Sequence, residues 1–306
     1  MQNQYLHFGK CFLFVSFMQK RQFMPTILIA DSGATKCEWV LLVDGKKKKI
    51  LTQGISPYFL TGAQIVEVLE NELLPKLKKA SIDAVYYYGT GLLNPNNIKL
   101  LKSVLKKVFP NTKKIEATDD MYAVAHATCG NEKGLACILG TGSNSCFYNG
   151  KKITDRRTGA GYILGDEGSG AYLGKKVLQY YLYNTFDEEL MAKFVARFQV
   201  ASSFEIIENV YRKPQANRYI ASFAIFLAEN RGHYMVENII EDGLNDFITA
   251  HLYKFPQAWT NPIHFSGSVA YGFKDVLEEL CSSYELTVGS IIKEPMPGLV
   301  KYYSEL

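Results

Sequence analysis

The chain is poor in the residues that build metal sites and disulfide frameworks: 306 residues carry six cysteines and five histidines. The cysteines stand at 11, 37, 129, 137, 146 and 281, and no two form a Cys-x-x-Cys pair. Zinc-ligand spacing is therefore absent, and scattered cysteines in mostly apolar stretches read as reduced core thiols of a cytoplasmic protein. The apolar run Phe12–Phe17 is too short to cross a bilayer, and no small-residue cleavage site follows it before Lys20-Arg21, which argues against a signal peptide. An excess of one charge is also missing. Lys and Arg number 34 against 30 Asp and Glu, and a balance of +4 is too mild to argue for a nucleic-acid partner. Lys46 to Lys49 follow the turn signal Asp44-Gly45 and read as a solvated hairpin shoulder. Residues 1–23 match no element of the pattern below, so we expect a leader that adds little to the fold.

What is present is a 47% hydrophobic chain with 24 glycines, long enough for two α/β lobes. The apolar run Ile27-Leu28-Ile29-Ala30 ends in Asp31, and Ser32-Gly33-Ala34-Thr35-Lys36 turns the chain into a second strand. Small residues there let backbone N–H groups converge on an anion. Taken alone, such a strand tip reads most simply as a tight turn. The design recurs at Ala136–Phe147, where Gly140-Thr141-Gly142-Ser143-Asn144 joins two strands. A third segment, Pro262–Ala270, runs from a short strand through Gly267-Ser268 into a helix.

Two phosphate-type hairpins followed by a strand–Gly–helix turn, in this order, resemble the motif set of the actin/hexokinase/heat-shock-ATPase superfamily. Gly165-Asp166-Glu167-Gly168-Ser169-Gly170, placed after the second hairpin, narrows the likeness. It is similar to the N-acetylglucosamine kinases and the wider BadF/BadG-type ATPase group that includes them. The resemblance runs from about Pro25 to the C-terminus. It implies an α/β, two-lobed actin-like ATPase fold: duplicated ribonuclease-H-like domains with an interlobe cleft.

The pattern along the chain agrees with two such halves. Strands are read at 26–31, 37–43, 48–54, 84–88 and 115–117, with helices at 61–80, kinked at Pro75, and 95–109. A second three-strand start near Gly134 leads past Gly165 into helices at 166–182, 187–200, 202–212, 215–231 and 233–252. A strand at 262–267, another at Glu285–Val288 and a helix at 297–306 close the chain. We therefore expect a first lobe at 24–118 and a second at 119–296. The resemblance implies that the last helix docks back on the first lobe.

The roles that follow are those the resemblance implies. Gly33, Thr35 and Lys36 match the first phosphate turn, and Gly140, Thr141, Gly142 and Ser143 the second. Gly267, Ser268 and Ala270 match the adenosine turn. Asp31 would face Mg²⁺ on the ATP phosphates. Asp119, in Thr118-Asp119-Asp120, falls where the family carries its general base. Asp at a helix start is equally a plain N-cap, and Asp120 could cap while Asp119 faces the cleft. Asp119, Thr141, Asn144, Gly159 and Asp166 would hold the sugar, joined by Ser56 or Tyr58.

Three departures stand out: Ser32 and Ala34 replace commoner glycines, and Gly54–Tyr58 lacks the family's sugar-binding Asn. Gly159-Ala160-Gly161-Tyr162 stands where the family carries a Trp before the Gly-Asp-Glu-Gly segment. The expected activity is ATP-dependent phosphorylation of an amino-sugar hydroxyl, N-acetylglucosamine at its 6-position first. Glucosamine and N-acetylmuramic acid stay open, as does a homodimer; neither a nucleic-acid nor a membrane partner is expected. Two other classes share the fold. An acyl-CoA reductase or dehydratase activase would need cluster-binding cysteines, for which Cys129 and Cys146 would have to serve. A non-catalytic ATP or sugar sensor would lack a working base.

Overall fold

The computed structural model describes residues 25–33, 36–78, 80–199 and 202–305. The expected leader, and Ala34 and Thr35 of the first turn, lie outside these residues. Five strands form the first sheet: β1 (Ile27–Ser32), β2 (Lys36–Val43), β3 (Lys46–Gln53), β4 (Ala84–Gly89) and β5 (Lys114–Thr118), ordered β3-β2-β1-β4-β5. The first three are antiparallel, whereas β1, β4 and β5 run parallel. β4 is buried along its whole length and reads as a continuous apolar and aromatic run, as a covered parallel strand should. β3 is the edge, and its exposed lysines 46–49 blunt it against pairing with another chain.

The second sheet repeats this plan with β6 (Lys133–Leu139), β7 (Ser143–Asn149), β8 (Ile153–Thr158), β9 (Ile263–Ser266) and β10 (Val288–Ile292). Its order, β10-β9-β6-β7-β8, is that of the first sheet, with β6 in the place of β1. Antiparallel β6-β7-β8 and parallel β6-β9-β10 complete the match. The first sheet carries α1 (Gly62–Val68), α2 (Leu74–Leu77) and α3 (Pro95–Val108), and α4 (Asp120–Thr128) crosses to the second sheet. Between β8 and β9 come α5 (Gly161–Leu164), α6 (Gly170–Leu182), α7 (Glu188–Phe198), α8 (Ser203–Tyr211), α9 (Ala216–Ser222), α10 (Ile225–Glu229) and α11 (Tyr234–Ala250). Then α12 (Ser268–Gly272) and α13 (Lys274–Ser283) precede β10, and α14 (Met296–Ser304) ends the described chain.

Leu299, Val300 and Tyr303 of α14 pack on Ile27, Ile29, Val40 and Tyr86, so the last helix lies on the first sheet and crosses α4. The crossing is tight at Gly298, where an added Cβ would stand 2.4 Å from the Ala127 carbonyl oxygen. Gly298→Ala is therefore expected to push the two helices apart and to cost about 1–3 kcal/mol, as overpacking does. A thermal melt checks it; an unchanged melting temperature would mean the crossing yields freely.

Several expected boundaries move. The helix read at 61–80 is broken by a π-helical turn at Leu69–Leu73, and Pro75 opens a new short helix rather than kinking one. The helix read at 215–231 divides at Phe223-Ala224, where the hydrogen bonds tighten to a three-residue spacing. The helix read from 166 begins only at Gly170. The strand expected at Glu285–Val288 is Val288–Ile292 instead. Glu285 is left-handed, φ 57°, and the Leu286 N–H bonds back to the Cys281 carbonyl. Those residues end α13 and cannot also pair with β9.

Candidate active site

Both glycine turns reach one cleft between the sheets. A cavity of about 860 Å³ there is lined by Gly33, Ser56, Tyr58, Thr90 and Gly91 on one side. Gly140, Thr141, Gly170, Ser268, Gly272 and the α9–α10 helices line the other. Its size lies within the range of small-molecule sites, roughly 300–1,000 Å³. The first turn closes through Gly33 N–H to the Lys36 carbonyl at 3.0 Å, the second through Gly140 N–H to the Gly142 carbonyl at 3.0 Å. Gly170 N–H donates to the Gly140 carbonyl at 2.7 Å, so the start of α6 is tied to the second turn. Ser143 is buried beneath that turn, and its hydroxyl has no hydrogen-bond partner among the described residues. A buried hydroxyl left so is costly unless a ligand oxygen meets it.

At Gly267 backbone conformation and space together exclude a side chain. Its φ is 123°, and a Cβ would fall 2.2 Å from the Leu139 carbonyl oxygen. Ser268 lines the cavity, whereas Ala270 lies in the apolar core behind it.

Asp31 ends β1 beside a second cavity of about 220 Å³, lined also by Gly33, Lys36, Glu38, Glu294 and Met296. Burial, reinforced by the charges of Asp120, Glu38 and Glu294, pushes its carboxyl up to about 7 against the pull of Lys36. Glu38 is neutralised in part by Lys49 at 2.6 Å, and Lys36 Nζ reaches Glu294 at 3.7 Å rather than lying free.

The cap expected from Asp120 is made by Asp119 instead. Asp119 is the N-cap of α4 and accepts the Met121 N–H at 3.0 Å. It is buried, and Arg156 of β8 grips both of its oxygens at 3.0 and 2.9 Å. Asp120 does not cap; it lies close enough for its charge to act on Asp31. Burial, then the neighbouring charge of Asp119, raises the Asp120 carboxyl to about 6.

Asp166, beside the second turn, has a left-handed backbone, φ 57°. Its oxygens press on Gly142 and Gly159, where added Cβ atoms would meet them at 2.8 and 2.3 Å. Burial raises its carboxyl, opposed by the backbone N–H groups of Ser143 and Gly161. Asn144 Oδ1 accepts the Gly159 N–H at 2.9 Å, fixing the loop that passes over Asp166. Glu167 turns away to buried His251, 3.4 Å from its Nε2, whose Nδ1 meets Ser145 Oγ at 3.1 Å. Ser56 is buried and Tyr58 exposed, and both line the cavity.

Comparison with known proteins decides the family. The structure superposes on that of a protein from Porphyromonas gingivalis, provisionally named an N-acetylglucosamine kinase, with a TM-score of 0.86. The two chains are 38% identical over 91% of this chain and 99% of that one. This chain belongs to the N-acetylglucosamine kinase-like proteins of the actin-like ATPase superfamily. A protein of the same provisional name from Chromobacterium violaceum matches at a TM-score of 0.69 and 17% identity, covering 92% of this chain and 99% of its own. A glucokinase of the ROK family from Streptomyces griseus, solved with glucose and AMPPNP, matches at 0.52 and 15%, covering 92% of this chain and 98% of its own. At those identities the last two speak to the fold alone. No family model and no curated protein matches the chain.

For an N-acetylglucosamine kinase-like protein, the two-lobed actin-like fold and its cleft are what the sheets describe. Among the described residues no helix is long and apolar enough to cross a membrane. Nor do three or more His, Cys, Asp or Glu side chains gather to hold a metal unaided. A magnesium ion shared between Asp31 and nucleotide phosphates needs no such cage, because Mg²⁺ keeps most of its waters. The crowding of acidic groups around Asp31 fits a cation there. The cysteines at 37, 129, 137, 146 and 281 are all buried, and burial raises their thiols, so Cys129 and Cys146 are core residues in this chain. Sequence reasoning did not single out Arg156, Glu38 or Glu294, nor Asp120 as the carboxylate left without an arginine partner. The one available signal was the doubled aspartate at a helix start, where either residue can cap and the other is left for another partner.

Proposed function

We propose that the protein is an ATP-dependent amino-sugar kinase with N-acetylglucosamine as its first-choice substrate and the 6-hydroxyl as acceptor. The observation that carries this reading is the cleft itself: glycine turns from both sheets meet there, the buried Ser143 hydroxyl is unpaired beneath the second, and the Asp31 and Asp120 carboxylates lie close enough to act on one another. The likeness to a chain at 38% identity, matched over 99% of its length and provisionally named for this activity, supports it. Thr141, Asn144, Gly159 and Asp166 would hold the sugar, Tyr58 closing over it. Gly33, Lys36, Gly140, Thr141, Gly142 and Ser143 would hold the phosphates, and Gly267 and Ser268 the adenosine.

In this reading Asp120 is the general base in place of Asp119. Both Asp119 oxygens are already taken by Arg156, whereas Asp120 has a raised carboxyl and no arginine clamp. Asp120 takes the proton of the sugar hydroxyl as its oxygen bonds to the γ-phosphorus, and the bond from that phosphorus to the ADP oxygen breaks. Asp119, tied to β8, fixes the start of α4 and so the position of Asp120. Asp31 would hold Mg²⁺, which when bound supplies charge neutralisation on the β- and γ-phosphate oxygens.

The test is ADP release, followed by a coupled assay over a panel of amino sugars and hexoses. N-acetylglucosamine is expected to give the highest kcat/KM, with the product phosphorylated at the 6-position by NMR. Equal or higher turnover with glucosamine or N-acetylmuramic acid would move the substrate. No sugar-dependent ADP release from any of them would end the kinase reading.

A further inference from the structure

We infer that Arg218 is a phosphate-binding residue of the nucleotide site, adding a guanidinium from α9 to the contacts of the glycine turns. This rests on the reading of the cleft as an ATP site. Among the described residues lining the 860 Å³ cavity, Arg218 is the one that carries a charge. Lys36, the cation expected from the first turn, lines the smaller cavity beside Asp31 and is held by Glu294. The guanidinium of Arg218 bonds to the neutral Gln215 Oε1 at 3.1 Å, and no carboxylate forms an ion pair with it among the described residues. Five N–H donors on a half-buried arginine, with one taken by an amide, leave a fork open for an anion.

The position on the helix also fits. Ala221, three residues on and therefore on the same face, stands against Gly170, where an added Cβ would be 3.4 Å from its own. Gly170 is bonded to Gly140 in the second phosphate turn. One helical turn, about 5.4 Å, thus separates Arg218 from the residue that abuts that turn, a span its side chain covers. Beyond Ala221 and Ser222 the lining from these helices is apolar, Ala224, Ile225 and Ala228, and Phe273 joins it. The cavity is cationic at one end and apolar at the other, the polarity of a nucleotide laid along α9 and α10 with its base toward Phe273. Left-handed Gln215, φ 63°, starts α9 and holds the arginine through its amide.

Calorimetric titration of the full chain with ATP, ADP and adenosine, without sugar and in excess Mg²⁺, separates the contacts. Arg218→Gln is expected to weaken ATP and ADP by ~10-fold or more, as loss of a charge-assisted bond does, and to leave adenosine within about twofold. Arg218→Lys, which keeps the charge without the fork, should recover part of the loss. Thermal melts of both variants establish that they fold, and the lysine variant carries the test if the glutamine variant does not. Wild-type ADP affinity in the variants, or an equal loss for adenosine, would overturn the inference, the second by making Arg218 a base contact. Failure of the unaltered protein to bind any nucleotide would instead overturn the ATP reading itself.

Discussion

Asp120→Asn is expected to lower kcat for sugar phosphorylation by ~100-fold or more, the size typical of a lost general base. The amide keeps the shape of the carboxylate, so sugar KM and melting temperature should change little. In the unaltered protein the rate should fall on the acid side near pH 6, because Asp120 works only when deprotonated and its carboxyl sits at about 6. Asp119→Asn should behave in the opposite way. It retains a capping oxygen but breaks the paired grip of Arg156, and lowers the melting temperature with kcat within a few-fold of wild type. Steady-state kinetics and melts on both variants decide the matter. A collapse of kcat in Asp119→Asn beside an active Asp120→Asn would return the base to Asp119.

Asp31→Asn should abolish transfer and yet stabilise the metal-free protein at alkaline pH. In the unfolded chain an aspartate titrates near 4, while burial and three acidic neighbours raise Asp31 to about 7 in the fold. Between these values the unfolded state has lost a proton that the folded state still holds, so stability falls as pH rises from about 4 to about 7 and is level above it. Asparagine has no proton to lose. The variant should match wild type at low pH and exceed it at pH 8 by an amount on the order of a few kcal/mol, or several degrees in Tm. Melts in a chelator across this range, with kinase assays over Mg²⁺ concentrations, read both halves. A variant no more stable than wild type at pH 8 would show that Asp31 is not crowded. Unimpaired transfer would make the first hairpin a structural turn and remove Asp31 from the metal. The pairing of lost activity with gained stability is the usual cost of gathering like charges at a site.

Much of this fold was legible in the residues. Strands such as Ile27–Ser32 and Lys133–Leu139 are apolar runs cut by Gly, Asp or Ser, and that local chemistry survives whatever packs around it. The doubled arrangement of sheets was readable because each half opens with a strand–glycine turn–strand unit. Other features were not. Leu69–Leu73 has the apolar spacing of a continuous helix, and only packing under the first sheet turns it into a π-helical turn. Val288–Ile292 was displaced because Glu285 adopts a left-handed backbone that residue type alone does not demand.

The site divides along the same line. The phosphate turns, Gly267 and Asp166 belong to short contiguous motifs, where small residues and a carboxylate at fixed spacing already limit what the backbone can do. Asp119 and Asp120 are chemically alike and adjacent, so nothing local distinguishes them. What separates them is Arg156, thirty-seven residues away on β8, which claims one carboxylate and leaves the other beside Asp31. Arg218 lies within the helix expected at 215–231, where no motif marks it. Its place in the cleft follows from α9 packing against Gly170 and Gly174, a contact between segments more than forty residues apart. Family and architecture were therefore written in local turns, whereas the protonation and partnering of charged groups were decided by tertiary structure. Burial and long-range ion pairing depend on which surfaces meet, and no local pattern carries that information.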